Sequence, residues 1–229
     1  MRKATRAVVD ELRDVADPSR MPGMARVGIN VDRALGVSIP HCRRIARGHR
    51  RDHELALDLW RTRIHEARIL ASMVDDPAEV EQAQMEAWVA DFDSWDLCDQ
   101  TCGNLFGATP HAFSKAAAWV RRDEEFVRRA GFTLIAERAV RDKTHDDSFW
   151  IGWFPAIRDG ADDDRNYVKK AVSWSLRQIG KRDLTLNAAA IAEAEGLLSL
   201  PARSARWVAR DVLRELGSDA VQARLRGTA

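Results

Sequence analysis

The sequence has no long apolar run. Its longest stretch free of Asp, Glu, Lys and Arg is Gln100–Ser114, fifteen residues broken by Gly103, Gly107 and Pro110, and unsuited to a membrane span of ordinary length. Cysteine is scarce, three in 229 residues. That odd, sparse count argues against a disulfide framework and for a reducing cytoplasm. The N-terminal MRKATRAVVDELRD is charged throughout and lacks the apolar run of a signal peptide. There is no glycine-rich phosphate loop and no nucleophile motif. Proline and glycine are also few, 7 and 13, against 45% apolar residues, which excludes a disordered chain. The length suits one large domain or two small ones, with a sizeable core either way. We expect a single domain over residues 1–229.

Net charge is nearly absent too, at +1, but the average hides strong blocks. Ile69–Asp99 holds nine acids and no Lys or Arg, whereas Arg165–Arg182 holds six bases and no acid. His41–Arg68 carries eight arginines against four acids, and Lys115–Lys143 eight bases against five acids. A chain segregated in this way is able to present one basic face and one acidic back, which keeps nucleic acid open as a partner. A solvated charge mosaic gives the same pattern. The acids of Asp75–Asp93 are expected on the solvent-facing back.

No segment reads as a strand, because Val, Ile and Thr never alternate over more than a few residues. Helical periodicity replaces it. Apolar residues recur three or four apart in Val80–Ala90, Ala112–Val120, Phe126–Arg141, Tyr167–Ile179 and Ser204–Leu216. Gly180 is expected to C-cap the fourth of these. Six of the seven prolines fall between periodic segments or at their first turn. Pro155, inside FWIGWFPAI, predicts a kink or a helix start. A dozen or more short helices without strands point to a helical-repeat stack or to an irregular bundle.

Three stretches carry candidate chemistry. In FDSWDLCDQ, Asp93 or Ser94 suits an N-cap, with Asp96 loosely completing a capping box. Capping leaves Asp99 unexplained. Trp95 and Asp99 are spaced i, i+4, so an indole and a carboxylate share a helix face, an arrangement suited to a cationic ring. A core Trp beside a surface Asp fits the same spacing. In YVKKAVSWSLR, Trp174 lies between Lys170 and Arg177, as at a site for a phosphate and a stacked base, or on an ordinary amphipathic helix. In FVRR, Arg128 and Arg129 point about 100° apart on a helix and are not expected to touch one group. Cys98 and Cys102 read as buried or half-buried thiols. Thr144 or Asp146 reads as a cap, and His41, His49, His53 and His65 as residues of a solvated or phosphate-facing surface.

DSWDLCD, FVRRAGF and YVKKAVSWSLRQIGKRD, in that order, resemble the AlkD-like DNA alkylation-repair glycosylases. The upstream MARVGINVDRALGVSIPHCRR resembles that family's first repeat, so the likeness runs from about Met21 to Asp183. It implies an all-α fold of stacked HEAT-like repeats, a curved solenoid with a concave basic face. It assigns the catalytic carboxylate to Asp99, the aromatic one turn earlier to Trp95, the second aromatic wall to Trp174 and the backbone-approaching arginine to Arg129. Arg43, Arg44, Arg128, Lys170 and Arg177 follow as DNA contacts. Where the family can place an aromatic beside the site, this chain has Val27.

The implied activity is monofunctional hydrolysis of the N-glycosidic bond of cationic alkylated purines in double-stranded DNA: 3-alkyladenine, 7-alkylguanine or bulkier adducts. No cofactor, metal, membrane or obligate protein partner is implied, and the expected form is a cytoplasmic monomer, at the nucleoid when bound to DNA. No lysine neighbours Asp99 in sequence to suggest a Schiff-base lyase step. The alternative is a non-catalytic helical-repeat protein that binds DNA structure or a protein partner.

Overall fold

A computed structural model describes residues 2–227. Fifteen α-helices and two short 3-10 turns, with no strand, occur among the described residues. The contacts of the fold cluster into two compact units, Met1–Ala112 and Phe113–Ala229. No helix among the described residues is long and apolar enough to cross a membrane.

The first unit contains α1 (Lys3–Asp14), α2 (Met21–Arg26), α3 (Ile39–Ala46), α4 (His53–Arg61), α5 (His65–Val74), α6 (Gln82–Ala90) and α7 (Trp95–Asn104). Starts are set locally: Ser38 accepts the amide of His41 and Asp52 that of Leu55, with Pro40 in the first turn of α3. Alternate helices pack together, α3 on α5 and α5 on α7, while α4 packs on α5. This stacking of every second helix is how a repeat array buries its faces. The core is aromatic. The Trp60 and Trp88 rings stack with centroids 3.9 Å apart, and Phe92 and Phe106 close around them. The Arg68 guanidinium lies 5.1 Å above the Trp60 ring.

The second unit begins within α8 (Ala112–Trp119). It continues through α9 (Glu125–Arg141), α10 (Asp147–Ile151), α11 (Phe154–Gly160), α12 (Asn166–Gly180), α13 (Leu184–Leu198), α14 (Arg203–Leu216) and α15 (Asp219–Gly227). Here α9 packs on α12 and α12 on α14. Helix α9 is buried from Arg129 to Ala136 without a break, so it shows almost no apolar face of its own. Helix α14 is the opposite. It buries Ala205, Val208, Ala209, Val212 and Leu216 on one side and leaves Arg203, Arg210 and Arg214 exposed.

Several local expectations hold. Pro155 lies in the first turn of α11, a helix start rather than a kink. Asp146 caps α10 by accepting the amide of Phe149, and Cys98 and Cys102 are buried and not joined in a disulfide. One fails. Gly180 is the last residue of α12 rather than its C-cap, and a Cβ there would lie 2.5 Å from Leu216 Cδ1 and 2.9 Å from Ala190 Cβ. Its smallness serves the close approach of α13 and α14.

Candidate active site

In each unit the candidate residues fall on one row of alternately packed helices. Arg43 and Arg44 lie in the last turn of α3, and Trp95 and Asp99 on α7. In the second unit Arg128 and Arg129 lie on α9, and Lys170, Trp174 and Arg177 on α12.

Helix α7 is fixed at its start. Ser94 is the N-cap residue, but its side chain caps nothing; its Oγ donates to Asp96 Oδ1 at 2.8 Å. Asp93, the other capping candidate, instead accepts Asn30 Nδ2 at 2.9 Å. The other oxygen of Asp96 lies 2.8 Å from His65 Nε2, and His65 is only 6% exposed. His65 is therefore not a solvated or phosphate-facing residue, as its arginine-rich neighbourhood suggested, but a buried partner of α7. His53 is likewise bonded to buried Asp75, at 2.7 Å, which removes that acid from the solvent-facing back. Burial pushes the His65 imidazole down, but the hydrogen bond and charge of Asp96 outweigh it, so His65 sits above its ordinary value. The Asp96 carboxyl, raised by burial but lowered more by His65, sits below its own.

Trp95 and Asp99 share a face of α7, both half-buried. The Trp95 indole donates to the Val27 carbonyl at 3.0 Å. Val27 is 56% exposed, so at this position its backbone, not its side chain, serves the site. The segment it opens is held at the far end by Glu66, 1% exposed, whose carboxylate accepts the amides of Leu35, Gly36 and Val37 at 2.8, 2.7 and 3.2 Å. Gly36 is required there. Its φ is +76°, and a Cβ would fall 2.0 Å from the Asp17 carbonyl oxygen.

In the second unit, Arg129 is 5% exposed and its Nη1 donates to the Tyr167 carbonyl at 2.6 Å. Arg128 turns to Asp163, 3.3 Å away, so the two arginines do reach different groups. Trp174 is half-buried, with exposed Lys170 one turn earlier on α12. Arg177 on its other side is ion-paired with Glu215 and approaches Asp211 at 3.5 Å, both on α14. Lys181 also pairs with Glu215, and Arg165 with Asp163 at 2.6 Å. Part of the basic block Arg165–Arg182 is thus countered by acids outside it, Asp163 just before it and Asp211 and Glu215 far along the chain.

Helices stacked in this way within each unit define a helical-repeat protein. The particular kind follows from the sequence. A family described as DNA alkylation repair enzyme matches residues 8–216, and the chain belongs to that family. A solved structure described as "a new family of proteins related to the HEAT-like repeat DNA glycosylases with affinity for branched DNA structures" has the same fold. Its TM-score is 0.78 at 16% identity, covering 92% of this chain and 94% of that one. No curated protein matches the sequence.

Proposed function

We propose that this protein is a monofunctional DNA glycosylase for cationic alkylated purines, acting on double-stranded DNA in base-excision repair. The observation that carries the reading is the pairing of Trp95 and Asp99 on one face of α7, with the indole held by Val27 and the helix start held by His65. N3- or N7-alkylation already makes the purine a good leaving group, so a strong general acid is not needed. What is needed is a fixed negative charge beside the oxocarbenium-like sugar and the attacking water, and ionised Asp99 supplies it. Trp95 and Trp174 offer ring faces to the cationic sugar or base. Arg129 is assigned to a backbone phosphate, its guanidinium anchored on Tyr167. Arg43, Arg44 and Lys170 are exposed and serve as flanking phosphate contacts. Arg128 and Arg177, already ion-paired, contribute less. The protein works as a monomer, in the cytoplasm at the nucleoid, and the chemistry requires no cofactor.

A second reading, non-catalytic recognition of DNA structure, is favoured by one observation: the fold relative is described by its affinity for branched DNA. One experiment separates the two. Base release from a duplex carrying a single 7-methylguanine is measured with wild type and Asp99→Asn, with duplex binding followed in parallel. The glycosylase reading expects release by the wild type, a fall of about 10²–10³-fold in the variant, and binding retained. Tight binding with no release by the wild type sinks it for this lesion.

A further inference from the structure

The first unit holds a second, wholly basic feature on the row of helices that carries Asp99. Arg43, Arg47 and Arg50 line one cleft of about 300 Å³, together with Ala46, Met73 and Asn104. All three arginines are exposed, and none of their guanidinium groups has a hydrogen-bond or ion-pair partner among the described residues. No carboxylate lines the cleft. Some arginines elsewhere are matched with acids, as Arg158 is with Glu193 and Arg138 with Asp142. The negative end of α3 accounts for a cation or two near its last turn, at about 0.3–1 kcal/mol each. It does not account for three guanidiniums gathered without a countercharge, which repel one another until an anion enters.

The cleft is also built. Arg43 lies on α3, Arg47 is its C-cap residue, and Arg50 stands in the turn before α4. The next residue, Arg51, has φ +58°, a left-handed backbone that costs a residue with a Cβ about 1–2 kcal/mol. Asn104, the last residue of α7, is pinned by hydrogen bonds to Ser72 and Gln100, both 3.2 Å. Five residues separate Asn104 from Asp99, about 7.5 Å along the helix axis.

We infer that the Arg43–Arg47–Arg50 cleft takes a backbone phosphate of the DNA strand that reaches Asp99, and so helps to position that strand on α7. The choice of a polymer over a lone anion rests on the proposed function, because the cleft and Asp99 share one helix. Arginine forks suit phosphate oxygens bidentately, and contacts of this kind position a strand without reading its sequence.

The test is the salt dependence of binding to an undamaged duplex by Arg47→Ala/Arg50→Ala, set against Lys3→Ala/Arg6→Ala, an equal loss of charge on exposed positions of α1. The inference expects the slope of log K against log salt to shrink by about 1–2 in the first variant, with affinity falling about tenfold or more at low salt. The α1 variant keeps the wild-type slope. Base release at saturating protein keeps its wild-type rate constant in the α1 variant. An unchanged slope in the cleft variant, or equal losses in the two variants, overturns the assignment. Inorganic phosphate, exchanged for chloride at equal ionic strength, serves as a probe of a free-anion site. Displacement of duplex from the wild type at millimolar phosphate, absent in the cleft variant, overturns the strand assignment in favour of free phosphate. The proposed activity fails separately, by absence of base release from wild type whose salt slope is intact.

Discussion

His65 Nε2 on α5 lies 2.8 Å from Asp96 Oδ2 on α7, a buried pair that fastens the first turn of the helix bearing Trp95 and Asp99. The imidazole is held above its ordinary value because Asp96, helped by the charges of Glu66 and Asp93, outweighs the cost of burial. The His65 contribution is then full below the unfolded imidazole value of about 6.5 and is lost as pH rises through the higher folded value. For Asp96, lowered in the folded state, the contribution is present above about 3.9 and is lost as pH falls through its folded value. Melting temperature is therefore expected to favour wild type over His65→Gln most strongly between roughly pH 4 and pH 6.5. The gap narrows as pH rises above the ordinary imidazole value. A gap independent of pH would show that the pair is not charged.

Trp95 joins two roles, a ring face and an N–H donor to the Val27 carbonyl. Trp95→Phe keeps the face and removes a hydrogen bond worth about 0.5–1.5 kcal/mol, so base release should fall by up to about tenfold. Trp95→Ala removes the face as well, at about 0.5–2 kcal/mol more. Single-turnover rates for the two variants check the split, and equal losses would show that the ring face does nothing.

Glu66 takes three backbone amides of the segment before α3. In Glu66→Gln one carboxylate oxygen becomes an NH2 group, which must face at least one of those donors. Leaving a buried donor unsatisfied costs about 1–3 kcal/mol. Urea unfolding should show that loss, and limited proteolysis should show faster cutting between Val27 and Val37. A midpoint unchanged from wild type would mean that the clamp adds nothing.

Gly180 tests packing against propensity. In an exposed helix, Gly→Ala gains about 1 kcal/mol. Here the added methyl meets Leu216 Cδ1 and Ala190 Cβ, so Gly180→Ala is expected to destabilise by about 1–3 kcal/mol. Thermal melting decides by sign alone.

The helices were legible because their periodicity is local. Phe126–Arg141 reads as a helix from spacing, and α9 spans Glu125–Arg141. The i, i+4 relation of Trp95 to Asp99 survives for the same reason, since one turn of helix fixes it. Resemblance of short ordered motifs to a known family supplied the stacking and the residue roles. At α7 Ser94 is the N-cap residue as expected, but no side chain there caps the helix. Side chains from other elements, Asn30 and His65, take up Asp93 and Asp96.

What the sequence determined by itself is therefore the all-helical class, the bounds of five of the helices to within a few residues, the family and the candidate carboxylate. Each depends on residues close together along the chain. Only the tertiary structure decided which charges remain available. Arg177 and Lys181 share the carboxylate of Glu215, whereas Arg43, Arg47 and Arg50 gather in one cleft without an acid. Glu215 and Arg177 are 38 residues apart, and His65 and Asp96 are 31 apart. Coulomb forces and hydrogen bonds act over a few ångströms of space, and separation along the chain does not measure that distance.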